Sequence, residues 1–97
     1  MVTELAQFTA QPGKAEALGQ RLRDAMDVIR RAEGCRAIRL RRCLEDPNVF
    51  LYEIEWETLE HHTVMCRGGP LFTEYRAHVA GLYVEPIAVR HYEMLDG

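Results

Sequence analysis

Apolar residues along this chain change their spacing from two to three-and-four and back again, and the changes mark the elements. From Lys14 to Glu33, Ala15, Leu18, Leu22, Ala25, Ile29 and Ala32 recur every third or fourth position and make one stripe, the pattern of a helix packed on one side. Arg21, Arg23, Asp24, Asp27, Arg30 and Arg31 give it a solvated opposite face, and Gly34 is placed to cap its end. Before this helix, Thr3 to Ala10 mixes apolar and polar residues and stops at the turn signal Gln11-Pro12-Gly13, so it predicts a first strand. After it, Cys35 to Leu44 and Val49 to Trp56 predict two strands joined by the hairpin loop Glu45-Asp46-Pro47-Asn48. Pairing Leu44 with Phe50 also sets Arg42 against Tyr52, Leu40 against Ile54 and Ile38 against Trp56, which gives one largely apolar face. The other face then pairs Cys43 with Leu51, Arg41 with Glu53 and Arg39 with Glu55.

Beyond Trp56, Thr58 can cap a short helix in which Leu59, His62 and Cys66 share the inward stripe while His61 points away. Pro70 suits the first turn of another helix running to about Ala80, with Leu71, Tyr75 and Val79 on one face, Phe72 and Arg76 on its flanks and Gly81 as its stop. Glu85-Pro86 interrupts the chain, and Ile87 to Leu95 predicts a last strand on which His91 is open to either face. The order β-α-β-β-α-α-β is that of an α+β ferredoxin-like plait, an antiparallel four-stranded sheet with its second helix split in two. The sheet face bearing Arg39, Arg41, Glu53 and Glu55 holds too many charges for a core. Its Leu51 and Cys43 suit burial against a second copy of the sheet, a homodimer; an ordinary solvated face is the other reading.

At 97 residues and 47% hydrophobic content, residues 1–97 make one domain with one core. A net charge of −3 with scattered Lys and Arg offers no stripe for nucleic acid. The amino end carries no basic segment followed by an apolar run, and no apolar run is long enough for a membrane, so the expectation is a cytoplasmic protein with no membrane partner. Cys35 and Cys43 would lie about 26 Å apart on one strand, too far to bridge, and with Cys66 they read as free thiols in a reducing compartment. His61-His62 project to different helix faces with no carboxylate pair or Cys at ligand spacing, so no metal site is expected. Serine is absent and there is no glycine-rich phosphate loop, which disfavours acyl-enzyme chemistry and a bound nucleotide; no cofactor is expected.

Five short motifs stand in order along almost the whole chain. They are Pro12-Gly13 before the long helix, Glu33-Gly34-Cys35 before strand two, Glu45-Asp46-Pro47 in the hairpin, Glu55-Trp56-Glu57 ending strand three, and Pro70-Leu71-Phe72 opening a helix. In this the chain resembles the antibiotic biosynthesis monooxygenase (ABM) family. The resemblance implies a dimeric α/β barrel in which two sheets face each other, and an activity among cofactor-free oxygenases of aromatic polyketides, haem-degrading enzymes and quinol oxygenases. The haem-degrading branch resembles itself in an Asn, a Trp and a His ligand whose positions fall here near Ala6 or Gln7, Met65, and Tyr75 or Arg76, so haem degradation is disfavoured. The histidines here follow Trp56 by five and six residues, whereas many family members place one about nine after it.

Cofactor-free oxygenation needs a phenol or quinol that becomes reactive towards oxygen once deprotonated, and a protein that supplies a base and steadies the oxyanion in a dry pocket. His62 is the candidate base, with a core histidine bonded to a backbone carbonyl as the alternative; Arg67 and Tyr75 are candidates for holding the oxyanion or a carbonyl. Trp56, Tyr52, Ile38, Leu40, Phe72 and Arg76 are the candidate substrate contacts. The expectation is a cofactor-independent monooxygenase of a small aromatic or quinol compound. The alternative is a non-enzymatic small-ligand-binding or stress-associated dimer whose pocket is filled by its own side chains. A cavity of a few hundred Å³ with His62 on its wall would favour the first.

Overall fold

The computed structural model describes residues 1–66 and 69–97. Its elements follow the predicted order: β1 (Val2–Thr9), α1 (Ala15–Arg30), β2 (Cys35–Arg42), β3 (Val49–Trp56), α2 (Leu59–Cys66), α3 (Pro70–Val79) and β4 (Ala88–Glu93). The strands make an open antiparallel sheet in the order β2-β3-β1-β4 with the helices on one face, the ferredoxin-like α+β arrangement. Period-two alternation decides which side chains meet the helices: Glu4, Ala6 and Phe8 from β1, and Phe50, Tyr52, Ile54 and Trp56 from β3, all point inward and are buried. From the other layer come Leu18, Leu22, Ala25, Val28 and Ile29 of α1 with Tyr75 and Val79 of α3. Burial of each such large aliphatic side chain stabilises the fold by about 2 kcal/mol. The Tyr52 hydroxyl pins the two layers together by donating to the backbone carbonyl of Leu22.

The hairpin register differs from the predicted one by two residues. Leu40 faces Tyr52, Arg42 faces Phe50, Arg39 faces Glu53 and Arg41 faces Leu51. A two-residue slip keeps every side chain on its own face, so hydrophobic alternation cannot detect it; the loop decides. The Cys43 N–H donates to the Val49 carbonyl at 2.9 Å, the Val49 N–H to the Asp46 carbonyl at 3.0 Å, and the Asn48 N–H to the Asp46 carboxylate at 3.1 Å. This loop needs residues that the predicted strand had claimed. The strand therefore ends at Arg42, whose Nε–H reaches the Pro47 carbonyl at 2.7 Å, and Leu44 stands 94% exposed. An irregularity between Cys35 and Ala37 lets the shifted strand still begin opposite Trp56.

The long helix ends at Arg30, three residues short of the predicted Glu33. Gly34, at φ +84°, serves the turn into β2 instead of the cap, and it admits the ring of His61, which a Cβ there would strike. Thr58 caps α2 as predicted, its hydroxyl accepting from the His61 N–H at 3.3 Å. Gly81, at φ +78°, follows the end of α3. Among the described residues no helix is long and apolar enough to cross a membrane.

Candidate functional site

Three elements bring acid and base groups together at one end of the inner face. On β1, Glu4 occupies the same inward frame as Ala6 and Phe8. The register of β1 against β4 sets His91 directly beside Glu4, and that of β1 against β3 sets Ile54 on its other side, with Trp56 further along the inner face of β3. His62 comes down from the buried side of α2. The contacts form a chain. The Trp56 indole N–H donates to Glu4 Oε1 at 2.9 Å, His62 Nε2 lies 3.3 Å from the same oxygen, and His62 Nδ1 lies 2.6 Å from His91 Nε2. The Trp56 and His62 rings stack with centroids 5.4 Å apart and planes 24° from parallel, which fixes the tilt of the imidazole.

Burial governs the electrostatics. Loss of hydration pushes the Glu4 carboxyl up to about 7, against a weaker downward pull from the Trp56 N–H. Loss of hydration and then the neighbouring His91 ring lower the His62 imidazole to about 4, so a neutral imidazole stands beside a carboxyl raised to about 7. A carboxyl poised near operating pH is the arrangement that efficient proton transfer requires.

These groups sit on the wall of a cavity of about 230 Å³. Ala6, Phe8 and Ile54 form its sheet side, Met65 and Phe72 its helix side, and Ile87 and Val89 the edge near β4. The lining is otherwise almost wholly apolar. A dry cavity of about 150 Å³ holds benzene, so this one suits a molecule of one or two rings.

The structure brings His62, Tyr75, Trp56, Tyr52 and Phe72 together around this space. Tyr52 contributes only its ring, because its hydroxyl is spent on the Leu22 carbonyl and burial raises its pKa far above the usual phenol range. Trp56 has one ring face covered by His62. Arg76 lies outside, over the Phe72 ring at 5.8 Å, in a shallower cleft with Tyr83 and Glu85 that shares Phe72, Tyr75 and Ile87 with the cavity. Ile38 and Leu40 do not reach the cavity: Ile38 is in the core, and Leu40 borders a surface groove between α1 and β2. Arg67 lies outside the described residues. Sequence reasoning passed over Glu4, although a lone carboxylate in phase with Ala6 and Phe8 is a signal of a buried acid. No group of three or more His, Cys, Asp and Glu side chains among the described residues is disposed to hold a metal ion.

Comparison with known proteins places this architecture. The family model described as antibiotic biosynthesis monooxygenase matches residues 1–78. The chain is 35% identical to Rv0793 of Mycobacterium tuberculosis, named as a candidate monooxygenase, covering 98% of this chain and 92% of that one. It is 30% identical to the uncharacterized protein YczJ of Bacillus subtilis, covering 96% and 98%. Among solved structures, a candidate antibiotic biosynthesis monooxygenase from Bordetella bronchiseptica superposes with a TM-score of 0.89 at 30% identity, over 97% of this chain and 96% of that one. The structure of Rv0793 superposes with a TM-score of 0.79 at 26% identity, over 99% and 96%. With its strand order, split second helix and the family match over residues 1–78, the chain belongs to the antibiotic biosynthesis monooxygenase family.

Proposed function

We propose that this protein is a cofactor-independent monooxygenase that uses O2 to oxidise a phenol or quinol of one or two rings. The observation that carries the reading is the Glu4–His62 pair on the wall of an otherwise apolar cavity of about 230 Å³. The substrate hydroxyl gives its proton to the Glu4 carboxylate, the Trp56 indole N–H supports that carboxylate, neutral His62 lies beside it, and the Tyr75 ring and hydroxyl orient the substrate. The resulting oxyanion is electron-rich enough to react with O2 directly, and the dry lining keeps it from being quenched by water. The balance is AH2 + O2 giving A=O and H2O, with both hydrogens of the water drawn from the substrate. Haem degradation stays disfavoured: Ala6, Met65 and Tyr75 line the cavity near the positions where the haem-degrading branch carries its Asn, Trp and His.

Oxygen consumption by metal-free protein over dihydroxynaphthalenes, short quinols and hydroxyanthrones tests the proposal. Turnover on the smaller rings, reduced on the order of a hundredfold in Glu4→Gln and His62→Ala, is the expected result. One observation favours a second reading, a passive small-ligand carrier: His62 already has both ring nitrogens engaged within the protein. Tight binding of the same compounds with no oxygen uptake by the wild type would establish that reading and sink the first.

The reading includes a homodimer through the sheet face opposite the helices, in a reducing cytoplasm where Cys35 and Cys43 stay free thiols. Arg39 and Arg41 converge on Glu53 at 3.2 and 3.5 Å, and Thr3 donates to Glu55 at 2.8 Å. With both arginines 57% exposed, these pairs stabilise the lone chain little, which leaves them available to a second sheet.

A further inference from the structure

We propose that Glu4, His62 and His91 form a proton wire that moves the substrate's proton from the cavity to solvent while oxygen reacts, and then returns it. The inference rests on the monooxygenase reading for its substrate, but its geometry stands apart from it. The three residues come from β1, α2 and β4 and touch in series, Glu4 Oε1 to His62 Nε2 at 3.3 Å and His62 Nδ1 to His91 Nε2 at 2.6 Å. Exposure rises along the series, from Glu4 at 5% and His62 at 8% to His91 on the exposed edge strand β4. Trp56 holds both inner members in place, donating to Glu4 and stacking on His62. A base that takes a proton from substrate directly needs one ring nitrogen facing the substrate. His62 instead directs one nitrogen at the acid inside and the other at the ring outside, which is the requirement of a relay.

The proton count closes. When the substrate has protonated Glu4 and both imidazoles carry hydrogen on Nδ1, a concerted shift passes the Glu4 proton to His62 Nε2 and the His62 Nδ1 proton to His91 Nε2, while the His91 Nδ1 proton passes to water. Glu4 is again a carboxylate, both rings stay neutral and one proton has left. Had it stayed on Glu4, it would lie beside the oxyanion and recombine with it. The reverse shift brings a proton back to Glu4 for the reduced oxygen, restores both tautomers and leaves no net proton released.

His91→Gln tests the wire, because glutamine can still bond His62 Nδ1 but cannot pass a proton on. The expected result is a fall in kcat of roughly tenfold or more with KM little changed, a larger solvent isotope effect, and recovery as imidazole is added to the buffer. Wild-type turnover in His91→Gln, or loss that imidazole does not restore, would overturn the proposal while leaving the oxygenase intact. A measurement without substrate separates the two ideas: in wild-type protein labelled with 15N-histidine, a coupling across the hydrogen bond between His62 Nδ1 and His91 Nε2 is expected. Two rings that show no coupling and titrate independently would overturn the wire whatever the protein oxidises, and a coupled pair in a protein that consumes no oxygen would count against the oxygenase alone.

Discussion

Glu4 and His62 are displaced in opposite directions by the same burial, and this has a measurable consequence for stability. Unfolded, a carboxyl at 4.5 and an imidazole at 6.5 hold one proton between them across that interval; folded, with values of about 7 and about 4, they hold one as well. The pair therefore adds almost no slope to stability between those pH values. Glu4→Gln removes one half: His62, its pKa depressed, then makes stability fall as pH drops from 6.5 towards 4. In His62→Gln the raised Glu4 remains, and stability falls as pH rises from 4.5 towards 7, by roughly 3 kcal/mol. Urea midpoints at several pH values check both, and identical slopes in wild type and variants would show the opposed shifts to be absent. Gly34 offers a second residue-level test. Gly34→Ala meets both the left-handed backbone and the His61 ring, so a loss of roughly 2 kcal/mol is expected, of which His61→Ala in the same chain restores the clash part alone. At this scale the sequence was partly legible. His62 is buried as expected although Leu59 of the same expected stripe is 42% exposed, whereas the face of His91 depends on its pairing with Glu4, a contact between opposite ends of the chain.

For whole elements, periodicity was a sufficient guide and register was not. Helix α1 and strand β3 lie where the apolar spacing put them, because burial of one face is a local property of the pattern. The β2–β3 register is set by a few loop hydrogen bonds, and an even slip leaves the pattern unchanged. The shifted register makes a contrast that can be measured. Leu44→Ser, at a position outside the strand and 94% exposed, should alter stability by less than about 0.5 kcal/mol. Leu22→Ala, at 0% exposure on α1, should cost roughly 2–5 kcal/mol in thermal or urea unfolding. A strand reaching Leu44, as first expected, would give the serine variant a cost closer to that of the leucine.

Across the molecule, one sheet face is covered by three helices, and among the described residues no element covers the other. Leu5 and Leu51 lie half-buried there among the charges of Arg39, Arg41, Glu53 and Glu55. The expected dimer should appear in sedimentation at micromolar concentration, and Leu51→Asp should yield folded monomer, since that side chain leaves the single-chain core untouched. A wild-type sedimentation mass near 11.2 kDa would sink the dimer. The family was readable at this scale because five short motifs hold their order over the chain. The cavity was not, because its volume is what remains after side chains from β1, β3, β4, α2 and α3 have packed.

The stacking of Trp56 on His62 also gives the site its own optical signal. Trp56 is the sole tryptophan of the chain, it is fully buried, and it touches the cavity, the carboxyl and the imidazole at once. Its emission is therefore not an average over the molecule. Protonated imidazole quenches an adjacent indole more strongly than the neutral ring, and an aromatic guest in the cavity changes the medium around it. Fluorescence of the unmodified protein should consequently report ligand entry and the proton on His62 directly, with no label attached.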